Sequence, residues 1–262
     1  TDSSSYRTLM SGSDLVVSVG SGSITLKNVS SANITGGSLV SGSYITNSTS
    51  NRKITGTDGK DTISNSATYV TINAGSGNDT VYNSAYYVTV NAGAGKDTVR
   101  TSGDYVSVDG GNGNDYIYNI SGVNFYNTMR GGAGNDSIYN YGWRSYVDGG
   151  ADNDYIYNDY YYATLDGGDG NDTIYSYYSG SSYGNSIYGG AGDDSIYNYG
   201  YRNTIRGGVG NDTVTGTGYY RIYQYASGDG NDVITNFGSS DTIKITDSSS
   251  YRTLMSGSDL VV

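Results

Sequence analysis

Gly131-Gly132-Ala133-Gly134-Asn135-Asp136-Ser137-Ile138-Tyr139 holds, in nine residues, a glycine-rich turn, a carboxylate and an apolar strand residue. The pattern Gly-Gly-x-Gly-x-Asp-x-(Ile/Val)-x returns along the chain, with its Asp at Asp61, Asp79, Asp97, Asp115, Asp136, Asp154, Asp172, Asp194, Asp212 and Asp232. Successive Asp are 18, 18, 18, 21, 18, 18, 22, 18 and 20 residues apart, a period of 18 with three small insertions. Two residues beyond each stands Ile63, Val81, Val99, Ile117, Ile138, Ile156, Ile174, Ile196, Val214 or Ile234. A fixed period of this length marks a solenoid, in which each repeat is one supersecondary unit.

Outward from the motif lies a second apolar pair in many repeats, as in Val70 and Ile72, Val88 and Val90, or Val106 and Val108. Alternation with period two marks strands, and the Gly, Asn and Ser between them mark turns. Each repeat therefore reads as strand, turn, strand, turn. Stacked in parallel, equivalent residues lie about 4.8 Å apart and the Ile/Val columns are buried between two sheets. The expected fold is all-β, a parallel β-roll or β-solenoid of about 18-residue coils, with cations between the stacked Gly-rich turns on one side.

Composition narrows the alternatives. The 262 residues include 41 Gly and 31 Tyr but no Pro, Cys or His. No Glu is present, so all 25 acidic residues are Asp, against 14 Lys and Arg. Glycine at this level without a Gly-X-Y period excludes collagen, and the recurring Ile, Val and Tyr argue against disorder. No apolar run of about 18 residues is available to span a membrane as a helix. A pI near 4.2 disfavours nucleic acid and anionic lipid as partners and favours cations. Without His, Cys or Glu the usual general bases and nucleophiles are missing. Paired Asp could serve a glycosidase, but every motif Asp already has a periodic place. No enzyme is expected.

The turns carry the chemistry. Glycine permits positive φ, so the backbone can curl and aim its carbonyls at one point. Asp adds a hard anionic oxygen, and carboxylates stacked coil on coil would repel one another. Calcium takes six to eight oxygens, backbone carbonyls included, and suits a site sandwiched between two loops. An EF-hand is excluded, since it needs a Glu at loop position 12 and helical flanks.

The motif resembles the glycine-rich nonapeptide of the RTX proteins, whose family fold is a parallel β-roll with calcium between successive turns. In that family the motif Asp and the loop carbonyls are the ligands. The resemblance carries this to the ten Asp above and to Gly75, Gly77, Gly93, Gly95, Gly111, Gly113, Gly132, Gly134, Gly150, Gly168, Gly170, Gly190, Gly192, Gly208, Gly210, Gly228 and Gly230. The motif fills one half of each coil here, not both, so one ladder of about nine calcium ions is implied. Thr57-Asp58, Ala74-Gly75 and Ala92-Gly93 replace the Gly pair in the first three loops, which are expected to bind most weakly. At tenfold excess over its dissociation constant each ion adds about 1.4 kcal/mol. Nine such contributions approach the whole stability of an ordinary domain. The segment from Tyr223 to Asp232, with Phe237 and Asp241-Thr242-Ile243, resembles the segment closing many such arrays.

A larger repeat is also present. Thr1 to Val17 reappears unchanged as Thr246 to Val262, an offset of 245. Read on phase, Asp241 follows Asp232 by 9 and Asp259 follows Asp241 by 18, so the solenoid is expected to run on through the junction. One 245-residue unit of a tandem array would then hold about 14 coils. The expected division is 1–54 as degenerate non-calcium coils linking units, 55–236 as the calcium β-roll, and 237–262 as the junction, with 246–262 beginning the next unit.

Two further columns stand out. Asn65, Asn83, Asn119, Asn140, Asn158 and Asn198 are expected to form an amide ladder. Tyr82, Arg100, Tyr118, Tyr139, Tyr157, Tyr175 and Tyr197 should face outward, stiffening the sheet or making lateral contacts. The function expected is an extracellular, secreted or cell-surface structural protein of bacterial type. It would be a segment of a tandem-repeat fibre, biofilm-matrix or adhesin filament that pairs with itself. The alternative is a calcium-folded stalk or secretion module of a larger toxin, enzyme or adhesin. Ice binding is set aside, because position three of the motif is Ala94, Asn112, Ala133, Ala151, Asp169, Ala191 or Val209, not a row of Thr.

Overall fold

The structure is a computed structural model that describes residues 6–11, 14–19, 22–26, 44–120, 125–177, 184–247, 254–256 and 259–261. From Tyr44 to Ile245 the chain winds through about eleven coils, each giving one strand to either of two sheets. Pairing is parallel and in register, Ile63 beside Val81, Val99 beside Ile117, Ile138 beside Ile156. Each strand after a motif Asp is short. In Thr80–Asn83, Val81 and Asn83 point in while Thr80 and Tyr82 point out.

The core is two columns pressed together. Ile63, Ile117, Ile138, Ile156, Ile174 and Ile196 retain no exposed surface, and Ile72, Val90, Val108, Met129, Val147, Leu165 and Ile187 face them equally buried. The second apolar residue of the pair, at Val70, Val88 and Val106, is buried in all three coils. Further along, the same position passes to Asn127, Ser145, Ala163, Asn185, Asn203 and finally Arg221. The buried Asn side chains bond the backbone of the preceding coil, Asn127 Oδ1 accepting from Val106 N at 2.8 Å and Asn185 Oδ1 from Ala163 N at 2.8 Å. That corner is polar because amides there satisfy turn backbone that a methyl group could not.

The expected amide ladder is present and buried. Asn47 Nδ2 donates to Asn65 Oδ1 at 2.7 Å, Asn65 to Asn83 at 2.8 Å, and Asn140 to Asn158 at 2.7 Å. Several also hold their own turn, as where Asn65 Nδ2 donates to Ala67 O and Asn140 Nδ2 to Gly142 O. Thr101 and Ser176 interrupt the column without exposing it.

The ends depart from expectation. Tyr6–Ser11, Asp14–Val19 and Gly22–Leu26 form an antiparallel meander, not degenerate parallel coils, whereas Tyr44–Asn47 and Lys53–Thr55 do join the parallel sheets and 27–43 lie outside the described residues. Two-residue connections, Gly12-Ser13 and Gly20-Ser21, can join only antiparallel neighbours. The duplicated segment repeats the first hairpin, Leu9 opposite Val16 and Leu254 opposite Val261. Asp259 opens a strand lying antiparallel on Val233–Ile234, which ends the parallel ladder. Asp241 falls in the turn opposite the motif turn, paired with Arg221. The phase argument therefore holds through Asp241 to Ile245, whose strand pairs parallel, and fails at Asp259; about eleven coils form among the described residues, where about 14 were expected.

Candidate calcium-binding ladder

The motif turns stack into one continuous edge. Every glycine named above as a loop ligand has positive φ, from 91° at Gly228 to 147° at Gly210, and no other described glycine does. In the coil of Asp154 the fourth motif position is Asp152, held at φ 78° without glycine's freedom. The second glycine has a further constraint. A Cβ on Gly111 would collide with Gly93 O, and one on Gly132 with Gly111 O, because each loop sits directly on the carbonyl of the loop before it.

The motif Asp point inward beneath these loops. Asp79, Asp97, Asp115, Asp136, Asp154, Asp172, Asp194 and Asp212 are all buried. One carboxylate oxygen of each is used, since Oδ1 accepts from the N–H of the Asp one coil earlier, as Asp136 Oδ1 does from Asp115 N at 2.7 Å. The other oxygen, Oδ2, is buried with no donor in all eight. Oδ2 faces the bare Cα of the first motif glycine together with a carbonyl from the next coil. A Cβ on Gly131 would collide with both Asp136 Oδ2 and Gly149 O, and one on Gly149 with Asp154 Oδ2 and Gly167 O.

A buried anionic oxygen with no donor, facing a carbonyl dipole, is unfavourable alone. Burial accordingly pushes the carboxyls up. Asp79, Asp136 and Asp172 rise to about 6, Asp115 and Asp232 to about 7, and Asp154 and Asp194 to about 8. Hydrogen bonds from the preceding coil oppose this rise, and neighbouring carboxylates add to it in several of them. A hard cation would relieve this, with Oδ2 and the neighbouring loop carbonyls as its candidate ligands. Among the described residues no three acidic side chains converge, so an ion here draws much of its shell from backbone oxygen.

The two ends of the ladder are closed by the protein itself. Thr57 donates its N–H and its hydroxyl to Asp61, so this carboxylate has the donors that the next eight lack. At the other end Arg206 pairs with buried Asp229 at 2.7 Å, on the outward strand beside the last motif turn. Arg221 and Asp241, both fully buried, close the opposite turn at 2.6 Å. Arg221 also donates to Gly216 O and Asn236 O, which satisfies its fork. Sequence reading flagged Thr57 as a departure without its role, and missed both Arg–Asp pairs. Only the lone Arg in a column of Val, Ala and Asn could have signalled the second. Ala74 and Ala92 carry a buried methyl in the coils of Asp79 and Asp97, where later coils have bare glycine.

Fold and site together define a parallel β-roll whose turns are built around cations. The RTX calcium-binding nonapeptide repeat matches residues 55–85, 91–125, 121–139, 164–177, 178–198 and 199–218, just over half of the chain. The chain belongs to that family and binds calcium. The unmatched stretch between 139 and 164 contains the loop with Asp152 in place of glycine. Among solved structures the chain is similar to a hyperactive, Ca2+-dependent, β-helical antifreeze protein from an Antarctic bacterium. The TM-score is 0.53 at 20% identity, over 79% of this chain and 75% of that one, which shows a shared fold. Comparison with curated proteins gave no match.

Proposed function

We propose that the chain is a non-catalytic, extracellular structural segment, a calcium-locked rod in a tandem-repeat fibre, biofilm-matrix or adhesin filament. The observation that carries this reading is the unchanged return of Thr1–Val17 as Thr246–Val262. Both copies supply the same antiparallel hairpin, so rods of about eleven coils alternate with hairpin junctions along the filament. Stiffness within a rod comes from the calcium ladder, and millimolar calcium outside the cell supplies it. A second reading has its own support. The Arg206–Asp229 and Arg221–Asp241 pairs terminate the roll as a discrete unit, as a stalk or secretion module of a larger secreted protein requires.

Electron microscopy of the purified protein with and without chelator separates the two. Long, thin, unbranched filaments that fray on chelation are the expected outcome. Discrete particles that lose structure without ever forming filaments overturn the fibre reading and leave the stalk.

A further inference from the structure

The turn opposite the calcium loops breaks a backbone rule in nearly every coil. Eight residues after the motif Asp, or 11 and 12 in the two coils that carry insertions there, stand Tyr69, Tyr87, Tyr105, Tyr126, Arg144, Tyr162, Gly184, Arg202 and Tyr220 in successive coils. All but Gly184 have φ between 50° and 58°. That region suits Gly or Asn, and Asn51 occupies it in the coil before Tyr69. Bulky residues held there cost local strain, and such strain persists where a side chain is required for something other than the turn.

The side chains form a ridge. Tyr69, Tyr87 and Tyr105 stack with centroids 4.9 Å apart, and Tyr126 follows at 5.5 Å. The Arg144 guanidinium lies between Tyr126 and Tyr162, 5.5 and 5.4 Å from their centroids, and Arg202 lies 5.9 Å from that of Tyr220. The ridge is open to solvent, from 43% exposure at Tyr162 to 60% at Tyr220. Stacking turns the ring faces toward each other and leaves ring edges and hydroxyls outward. This is a comb with the pitch of the coils, and a second copy of the chain carries the same pitch along its whole length.

Charge fixes the alignment. Asp104 adjoins Tyr105 in the third coil of the ridge, Arg144 is in the fifth, Asp159 enters the turn of the sixth, and Arg202 is in the eighth. None of the four makes an ion pair among the described residues. An antiparallel copy that sets the third coil opposite the eighth also sets the fifth opposite the sixth. Asp104 then meets Arg202 of the second copy and Arg144 meets its Asp159, and the two-fold axis repeats both contacts. Tyr87 meets Tyr220, and Tyr126 faces Gly184, the one ridge position without a side chain. A parallel copy shifted by two coils makes only half as many charge contacts.

We propose that this ridge is a self-association surface, on which two copies of the chain pair side by side and antiparallel. Tyrosine supplies the buried area, while the Asp and Arg set register, since exposed ion pairs add little affinity but discriminate alignments. The contact lies on the edge away from the calcium carboxylates, so it is independent of end-to-end filament growth.

The test uses the full chain in calcium, with mass read by light scattering. A closed two-fold pair gives a dimer and nothing larger at a filament-free concentration. Arg144→Asp with Arg202→Asp makes an all-acidic ridge, and Asp104→Arg with Asp159→Arg an all-basic one. Each variant alone is expected to be monomeric, with its dissociation constant raised roughly tenfold or more, about 1.4 kcal/mol. Mixing the two is expected to restore a dimer containing one of each. Circular dichroism in calcium checks folding, and should the basic pair misfold, Tyr87→Ser with Tyr220→Ser is the second variant expected to weaken pairing. A monomeric parent chain, charge reversal without effect, or no recovery on mixing overturns the proposal, and filament formation scored separately shows whether end contacts survive.

Discussion

The two turns of each coil solve the same stacking problem in opposite ways. Both bring identical groups together once per coil, and both hold backbone at positive φ. On one edge the φ is carried mostly by glycine and the stacked group is a carboxylate, so in eight coils a buried carboxylate oxygen is left without a donor. On the other the φ is forced on Tyr and Arg, whose rings and guanidinium groups stack on one another without an ion. The coil is thus conditional on one side and self-sufficient on the other.

The sharpest way to break this comparison is within the carboxylate edge. Asp154 has an oxygen with no donor, whereas Asp61 has Thr57. Asp154→Ala should lower the number of calcium ions bound and raise the calcium midpoint of folding severalfold, a loss of about 1–3 kcal/mol in saturating calcium. Asp61→Ala should cost a similar amount through its lost hydrogen bonds while leaving the number of bound ions unchanged. Titration calorimetry against circular dichroism checks both. Loss of an ion in the Asp61 variant would show that Thr57 does not substitute for the cation.

Proton against calcium is the next largest effect. Burial raises the folded pKa of Asp79, Asp136 and Asp172 to about 6 and of Asp154 and Asp194 to about 8, above the ordinary carboxylate value of 3.8. The metal-free roll therefore binds more protons than the unfolded chain across that interval. The stability these carboxyls contribute is fullest below about pH 4 and is lost as pH rises toward 8. Calcium requires the ionised form, so its affinity rises over the same range and its binding releases protons. In chelator, β-structure should be greater at pH 5 than at pH 8, and in calcium the order should reverse. Greater metal-free structure at pH 8 would contradict the carboxylate account.

Much of the calcium edge was legible because it is periodic and each residue type has one reason to be there. The ten Asp, the inward Ile/Val column and the loop glycines follow from an 18-residue period and the freedom of glycine at φ > 0. The rest was hidden for physical reasons. Phase counting placed Asp241 and Asp259 on a continuing roll; the parallel ladder does run through Asp241 to Ile245, but at Asp259 a two-residue Gly-Ser connection imposes antiparallel pairing whatever the phase. Arg221 gave no local sign of standing in a buried column, because its partner is 20 residues away. The Tyr/Arg ridge also has the coil period, yet no propensity rule puts Tyr at φ near 57°, so composition suggested only an outward aromatic column on the neighbouring strand.

The finest contrast is a single methyl group. Ala92 stands in the coil of Asp97 where Gly131 stands in the coil of Asp136, and a Cβ on Gly131 would collide with Asp136 Oδ2 and Gly149 O. Reciprocal swaps isolate that methyl. Gly131→Ala should displace the carboxylate and remove one ion from the ladder. Ala92→Gly should tighten calcium at the Asp97 loop by about tenfold while costing about 0.5–1 kcal/mol of chain entropy in the metal-free state. The two costs have opposite calcium dependence, so stability measured along a calcium titration should cross between Ala92→Gly and the parent chain. Parallel curves that never cross would mean that the methyl group is spectator packing, and that the first loops are weakened by Lys60 and Lys96 beside their ligands instead.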